Sequence, residues 1–499
     1  MLRFARRGVS GLALPTNGSI TANGRLVTVT GTSPDPGGSS YYAGPVLGFI
    51  TPTVYAAPTA QGTGSGSSEA NAAPLVNVLA SVTASDRVGC IAGVYSKASG
   101  GSRFTPAWTT TNNGTAANPI IVVAKYSAID LGGAVANGQW TQTMVNNVFA
   151  NANRCELRHT GTFGSSGTGS PALGSSGKNY VYFIGFAVDE TNANATADTG
   201  TSVIVGGTNC MIARCVFQGR PVDTAWSGDN HPGVRVESTT SPMVYDNVVT
   251  GFRYFNTNQN GGHNHCGIQR YECVGTDIQH NFCFTNNTNI YLKDQDIAAG
   301  ETVHQNYCMN PEDSGSNIEI LNTNEGSSSS ITVASQNLCV NTINNAVGLM
   351  GQSEGRNLKW RNNTVIGIFN GGGSAGFVGH YQDTGGEVND NIFYCSSGTM
   401  MLDQQFRTTT VIPSNYNRFF SSGTETFRYN GTTRTGLAAW RSATGQDLNS
   451  SVGDPLFVSI AGSDFKLSGS SPCLTGSSSG GAQGCYITGS ETIGPRYAP

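Results

Sequence analysis

The sequence predicts an all-β solenoid, a β-helix with two or three short strands per coil. The first observation behind this is a recurring rung. Ile278-Gln279-His280-Asn281-Phe282-Cys283-Phe284 has counterparts around Asn247, Asn306, Asn337, Asn363 and Asn391, each a strand-like run with one Asn inside it. The anchor Asn advances in steps of 34, 25, 31, 26 and 28 residues. A fixed motif at irregular steps of this size indicates stacked supersecondary units with insertions on one side. The second observation is that no helical periodicity of any length runs through residues 100–420. The third is composition: charged residues are 12% of the chain, against roughly 25% in ordinary globular chains. A β-propeller blade needs about 40–50 residues, more than these steps allow.

The same composition narrows the function classes. Apolar residues are 37% and the net charge is −4, so most of the 499-residue chain should fold. A near-neutral balance argues against nucleic acid, which needs clustered Lys and Arg. No apolar run reaches the roughly 18 residues a membrane span requires. Met1–Arg7 is basic, as a secretion signal begins, but Gly8–Pro15 is short and broken by Gly8, Ser10, Gly11 and Pro15. That is a poor hydrophobic segment, and no cleaved signal is expected.

Residues 1–85 read as a small region tethered to the main body. Ser19–Thr30 forms a hairpin around Asn23-Gly24, a strong turn dipeptide. Gln61–Ser68 is linker-like. From Asp86 the pattern changes. Asp86–Tyr95 is a strand and turn, and Pro119–Ala124 is a strand buried on both faces. The rung alignment extends backwards with Cys215, Gly185 and Cys155 in the Asn slot. A β-helix is therefore expected over 86–430, with a C-terminal coil and cap over 431–499 and a short helix at Arg434–Arg441.

Cys283, Cys308 and Cys339 each lie two residues after an anchor Asn, the offset that elsewhere holds Val249, Val365, Phe393 and Phe419. Residues i and i+2 of a strand face the same way, so these thiols should fill an inward column as small buried hydrophobes. Cys473 and Cys485, in a Gly/Ser-rich tail, are the best disulfide candidates of the 12 cysteines. Asn tolerates unusual backbone angles at a tight bend, and stacked amides can bond along a column. The Asn column is read as structural.

The whole pattern resembles a right-handed parallel β-helix of the pectate-lyase-like superfamily. Arg87–Tyr95 through Pro119-Ile120 is similar to that family's entry coil. The Asn rungs resemble its stacked asparagine turns. Gly453-Asp454-Pro455-Leu456-Phe457, Asp464–Leu467 and Ser471-Pro472-Cys473 resemble its usual ending. The resemblance covers about residues 86–475 and implies a single-stranded, right-handed parallel coil. For activity it leaves lyases, hydrolases, epimerases and non-enzymatic phage spikes open, since fold does not fix function.

The second strand of each unit also aligns. Val234, Ile268, Ile290 and Ile318 should point inward, with Val236, Leu292 and Ile320. One outer column then holds Arg235, Gln269, Tyr291 and Glu319; another holds Glu237, Tyr271, Lys293 and Leu321. Aromatic faces beside carboxylates and cations suit carbohydrate, and Arg235, Gln269, Tyr271 and Tyr291 are the candidate substrate contacts. A solvated face of cross-strand pairs is the alternative. A polysaccharide lyase needs a base for the proton α to a uronate carboxylate and a cation to neutralise that carboxylate. Lys293 is the candidate base, and Asp294, Asp296 or Glu319 could hold Ca²⁺. A glycoside hydrolase needs two carboxylates at a defined separation, for which Glu237 and Glu319, two coils apart, are the candidates. His263, His265 and Cys266, with Asp229 and His231 upstream, lack a recognised zinc spacing. His280 and His304 should stack in equivalent slots before their Asn.

Three readings remain open on the sequence. One is a virion-surface protein resembling a bacteriophage tailspike, binding host polysaccharide, with trimeric assembly implied by that resemblance alone. The second is a secreted lyase or hydrolase acting on an acidic glycan. The third is an adhesive fibre without catalysis. The expected location is accordingly the virion surface or the extracellular medium.

Overall fold

The computed structural model describes residues 18–22, 25–29, 40–97, 106–133, 136–159, 162–163, 173–175, 177–190, 194–195, 203–205, 207–219, 232–253, 264–293, 300–311, 315–322, 331–341, 347–353, 358–367, 375–380, 386–395, 400–405 and 411–497. Three long sheets of 13, 12 and 11 strands run along the molecule. Each coil contributes one short strand to each sheet in turn, and successive coils pair in parallel, as Met243–Tyr245 does with Asp277–Gln279 and that strand with Glu301–His304. This is a right-handed parallel β-helix, the hand parallel crossovers take.

The bend between first and second sheet takes two residues. The first is left-handed: Arg214, Asp246, His280, Gln305, Gln336, Asn362, Asp390 and Tyr416 all have φ between 53° and 61°. A non-Gly residue there costs on the order of 1–2 kcal/mol. The second residue offsets that cost. From 247 to 417 it is Asn in every coil, and each Asn is fully buried. Asn281 is typical. Its Oδ1 accepts from the backbone N–H and the Nδ2 of Asn247, both at 3.0 Å. Its Nδ2 donates to Asn306 Oδ1 at 3.0 Å and to the Val244 carbonyl at 2.9 Å. The same links join Asn306, Asn337, Asn363, Asn391 and Asn417. The column ends on Asp447, whose carboxylate accepts from Asn417 Nδ2, Ser414, Ser450 and Trp440 Nε1.

Pairing corrects the slot assignment upstream. Ala187 pairs with Val216 and Val216 with Val248, so Phe186, not Gly185, matches Cys215 and Asn247. Gly185, at φ 87°, is the left-handed residue of its bend. Two residues further on, Val249, Cys283, Cys308, Cys339, Val365, Phe393 and Phe419 are in register and 0% exposed. All 12 cysteines are buried and free, Cys473 and Cys485 included. The disulfide expectation for that pair is not met. Cys473 sits in a 3₁₀ turn, while the Cys485 amide donates to Thr364 Oγ1 against the second sheet.

The solenoid starts before residue 86. Val54–Ala57 pairs in parallel with Arg87–Cys90. Helix Leu75–Ser81 inserts Leu75, Val78 and Leu79 into the top of the core. Helix Leu437–Thr444, which begins after the Thr432–Thr435 strand and so later than 434, closes the other end with Leu437 and Trp440. Solenoids need such terminal plugs. The 18–22 and 25–29 strands do form an antiparallel hairpin, with Asn23 and Gly24 outside the described residues.

Two additions cover the second sheet. Helix Gln142–Ala150, which the sequence reading missed, packs Val145 and Val148 against Val216, Val248 and Phe282. Its signals are present: Thr141 caps Met144, and Met144, Val145, Val148 and Phe149 share one face. The C-terminal tail runs back along the bends. Ser478 bonds Asp390, Asn362 the Ala482 carbonyl, Gly494 the Gln305 carbonyl, and Arg496 forms a two-point ion pair with Asp246. Tyr497 accepts from Trp140 Nε1 at 2.7 Å. Residues 431–497 thus form a strap as well as a cap.

His280 occupies a bend and His304 ends a strand, paired with Gln279, so their slots are not equivalent, although the rings lie 6.4 Å apart. Burial, and then the nearby Arg496 guanidinium, lower the His280 pKa to about 4.

Two measurements test this account. Asn337→Ala leaves the Asn306 backbone N–H without its acceptor and removes one bond each from the Asn306 amide and the Val303 carbonyl. At roughly 1–3 kcal/mol for an orphaned buried group, the unfolding free energy from urea titration should fall by at least about that much; a midpoint equal to wild type would remove the Asn column as the organising element. For His280, the folded pKa lies below the unfolded value. The unfolded chain therefore binds the extra proton first, and the group's stabilising contribution is full above about pH 6.5 and lost as pH falls toward 4. His280→Asn, which tolerates the left-handed bend, should reduce the stability lost between pH 7 and 4 by up to roughly 3 kcal/mol.

Candidate functional site

Of the three outer faces, two are largely occupied. The second is covered by helix 142–150 and the tail. The upper first sheet is covered by Tyr41, Ala43, Leu47 and Ile50. Its lower part carries cross-strand pairs, such as Tyr245 donating to Asp277 at 2.6 Å and Lys359 beside Glu387 at 3.6 Å. The outer face of the third sheet holds the sequence-selected residues.

Their strands are Val234–Glu237, Cys266–Tyr271, Thr288–Lys293 and Ser316–Asn322. The entry corner into this sheet is set by a second run of buried amides, which the sequence reading did not assign. Asn286 Nδ2 donates to Asn289 Oδ1 at 3.0 Å, Asn289 to Asn317 at 2.9 Å, and Asn317 to Asn341 at 2.6 Å. Register then places Arg235, Gln269, Tyr291 and Glu319 in one column, and Glu237, Tyr271, Lys293 and Leu321 in the next. The first column continues as Met350, Val378 and Asp403. Met350 and Val378 cluster with Val347, so the polar patch ends after Glu319.

Within the patch, Tyr271 is the hub. The Arg235 guanidinium lies 5.0 Å from its ring centroid and the Lys293 ammonium 5.9 Å, both within cation–π range. Arg235 Nε is 2.9 Å from Glu237 Oε2, a close ion pair that is poorly aligned as a hydrogen bond. Gln269 Nε2 donates to Asn264 Oδ1 at 3.2 Å. Although they point away from the core, Glu319 is 0% exposed, Gln269 1% and Arg235 5%. Tyr271 and Lys293 are half-buried and form the accessible part.

Glu237 and Glu319 stand in different columns, on strands three ladder steps apart rather than the two coils expected, a backbone separation of about 14 Å at the usual strand spacing. Glycosidase pairs lie roughly 5–9.5 Å apart. Among the described residues no group of three or more His, Cys, Asp or Glu is placed to hold a metal. Asp294, Asp296, Asp229, His231 and His263 lie outside the described residues. One residue was passed over in the sequence: Arg270 falls between Val236 and Leu292 in an inward column. An Arg at a core position of the strand alignment was itself the signal.

The sequence matches no family model and no curated protein. Solved structures of polysaccharide lyases align with it over most of its length. A pectate lyase, Pel9A, shares 14% identity over 88% of this chain and 95% of its own, at a TM-score of 0.48. A family 6 polysaccharide lyase from Pseudopedobacter saltans shares 9% over 85% and 98%, at 0.33. A mannuronic acid-specific family 6 lyase from human gut microbiota shares 10% over 81% and 87%, at 0.29. The parallel β-helix itself follows from the chain's own three long parallel sheets.

Proposed function

We propose that this protein binds an acidic polysaccharide across the outer face of the third sheet and cleaves it by elimination. The observation that carries the reading is the Tyr271 ring with Arg235 and Lys293 beside it, in register on adjacent strands. A sugar ring packs against the exposed part of the Tyr271 side chain, and a uronate carboxylate is drawn to the Arg235 guanidinium. Four coils span roughly 14 Å, room for a few sugars.

In this reading Arg235 neutralises the uronate carboxylate, which acidifies the C5–H bond. The Lys293 amine takes the C5 proton. The electron pair forms a C4=C5 double bond while the C4–O bond breaks, and the departing oxygen takes a proton from solvent water. Tyr291 and Gln269 are buried beneath the face and support it rather than touching sugar, and Glu237 orients Arg235. Asp294 and Asp296 directly follow Lys293 in sequence and remain the candidates for Ca²⁺; no step is assigned to that ion. We place the protein outside the cell or on a virion surface, where such glycans are met, and a trimeric spike is the finer form of the same proposal.

The test is incubation with a panel of uronate-containing and neutral polysaccharides, with and without EDTA. The expected outcome is ultraviolet absorbance from the conjugated double bond with a uronate glycan, lost in Lys293→Ala by roughly a hundredfold or more. Absence of that absorbance across the uronate glycans would count against a lyase, and full activity in Lys293→Ala would remove Lys293 as the base.

A further inference from the structure

The inward columns of the third sheet are apolar around the site: Val234, Ile268, Ile290 and Ile318, then Val236, Leu292 and Ile320. Arg270 breaks the second column. It is 1% exposed, and its partner Glu301 is 0% exposed. One guanidinium nitrogen, Nη2, pairs with Glu301 Oε2. The other, Nη1, donates to the Lys293 carbonyl at 2.9 Å. Lys293 is the last residue of its strand, and Glu301 opens the next strand of the chain, in the first sheet. A single side chain thus ties the end of one strand to the start of the following one, across the corner between two sheets.

This pair is poorly explained as a stabiliser. Two charges removed from water lose hydration that their attraction only partly returns, and well-packed apolar replacements are often as stable or more so. Arg270 Nε and Glu301 Oε1 lack hydrogen-bond partners among the described residues. Burial also pushes the Glu301 carboxyl above its ordinary pKa despite the adjacent guanidinium. What an apolar pair could not do is hold the Lys293 carbonyl. The residue beside Arg270 in sequence is Tyr271, the ladder partner of Lys293. Arg270 therefore fixes the backbone on which the Tyr271–Lys293 geometry is built.

We propose that Arg270, held by Glu301, is a positioning residue that sets the placement of Lys293 on the outer face from inside the core. The proposal rests on the reading of Lys293 as the base. Arg270 touches no substrate; it acts through the Lys293 carbonyl.

The test uses the full-length protein with the double substitution Arg270→Met/Glu301→Leu, which removes both charges together and leaves neither buried alone. Arg270→Lys is measured beside it, because a lysine keeps the charge opposite Glu301 but lacks the two-armed fork. The expected double variant melts within a few degrees of wild type. Its peptides covering 288–293 and 300–304 exchange amide hydrogen roughly tenfold faster than in wild type. Turnover on the uronate glycan falls roughly tenfold to a hundredfold, with KM changed by no more than about threefold. Arg270→Lys should show a smaller loss of turnover at wild-type stability. Unchanged exchange in these peptides would overturn the proposal, as would unchanged turnover in both variants. If the double variant does not fold, Arg270→Lys decides the matter by the same two readouts. If wild type cleaves no glycan, the lyase reading fails by itself, and the clamp is judged on exchange alone.

Discussion

The structure depends on one repeated interaction, the amide-to-amide bond along the Asn column. A coil of this protein cannot bury its apolar side alone, so every coil must sit on its neighbour in register. The Asn side chain enforces that register because all its hydrogen-bonding capacity is used between coils: two bonds accepted by Oδ1 from one neighbour, and two donated by Nδ2. A buried amide is costly unless fully paired. A shift by one residue would leave each Asn unpaired and turn its strand inside out. The left-handed residue before each Asn is tolerated for the same reason. Its own N–H continues the ladder, as Asp246 does to the Gln279 carbonyl.

Tight bends on one edge push the variable connections to the corners around the third sheet. Between first and second sheet the chain has two residues to spend, and the steps of 25 to 34 residues between anchors are absorbed elsewhere. The third sheet therefore combines a rigid frame with connections of variable length at both its ends. Its entry corner is fixed by the Asn286, Asn289, Asn317 and Asn341 amides, and its exit beside Lys293 by Arg270 and Glu301. The outer faces of the other sheets serve as packing surfaces for the N-terminal segment, helix 142–150 and the strap.

Much of this was legible in the sequence, and the reason is periodicity. Strand alternation and the Asn offset fix which residues share a column, so the inward Cys stack and the outer columns at 235–319 and 237–321 could be written down from spacing alone. What was not legible depends on contacts distant in sequence. Gly185 was placed one position off because neither Gly185 nor Phe186 carries the Asn mark; only pairing with Ala213-Arg214-Cys215 separates them. The strap could not be seen, since Asp246 and Arg496 are 250 residues apart. The burial of Glu319 and Gln269 was also hidden, because alternation says only that a side chain leaves the core, and not what meets it outside. Helix 142–150 was missed although its cap and stripe were present, since the surrounding strand signals dominated the reading.

In the proposed function, the third sheet's outer face, centred on Tyr271, binds the glycan. Its most direct test is a crystal structure of the Lys293→Ala protein with a uronate oligosaccharide that the wild type recognises. The expected structure has a sugar ring against the exposed part of Tyr271, its carboxylate toward Arg235, and the chain running across the strands from Val234–Glu237 toward Ser316–Asn322. An oligosaccharide seated on the first or second sheet, with the Tyr271 face empty, would contradict it.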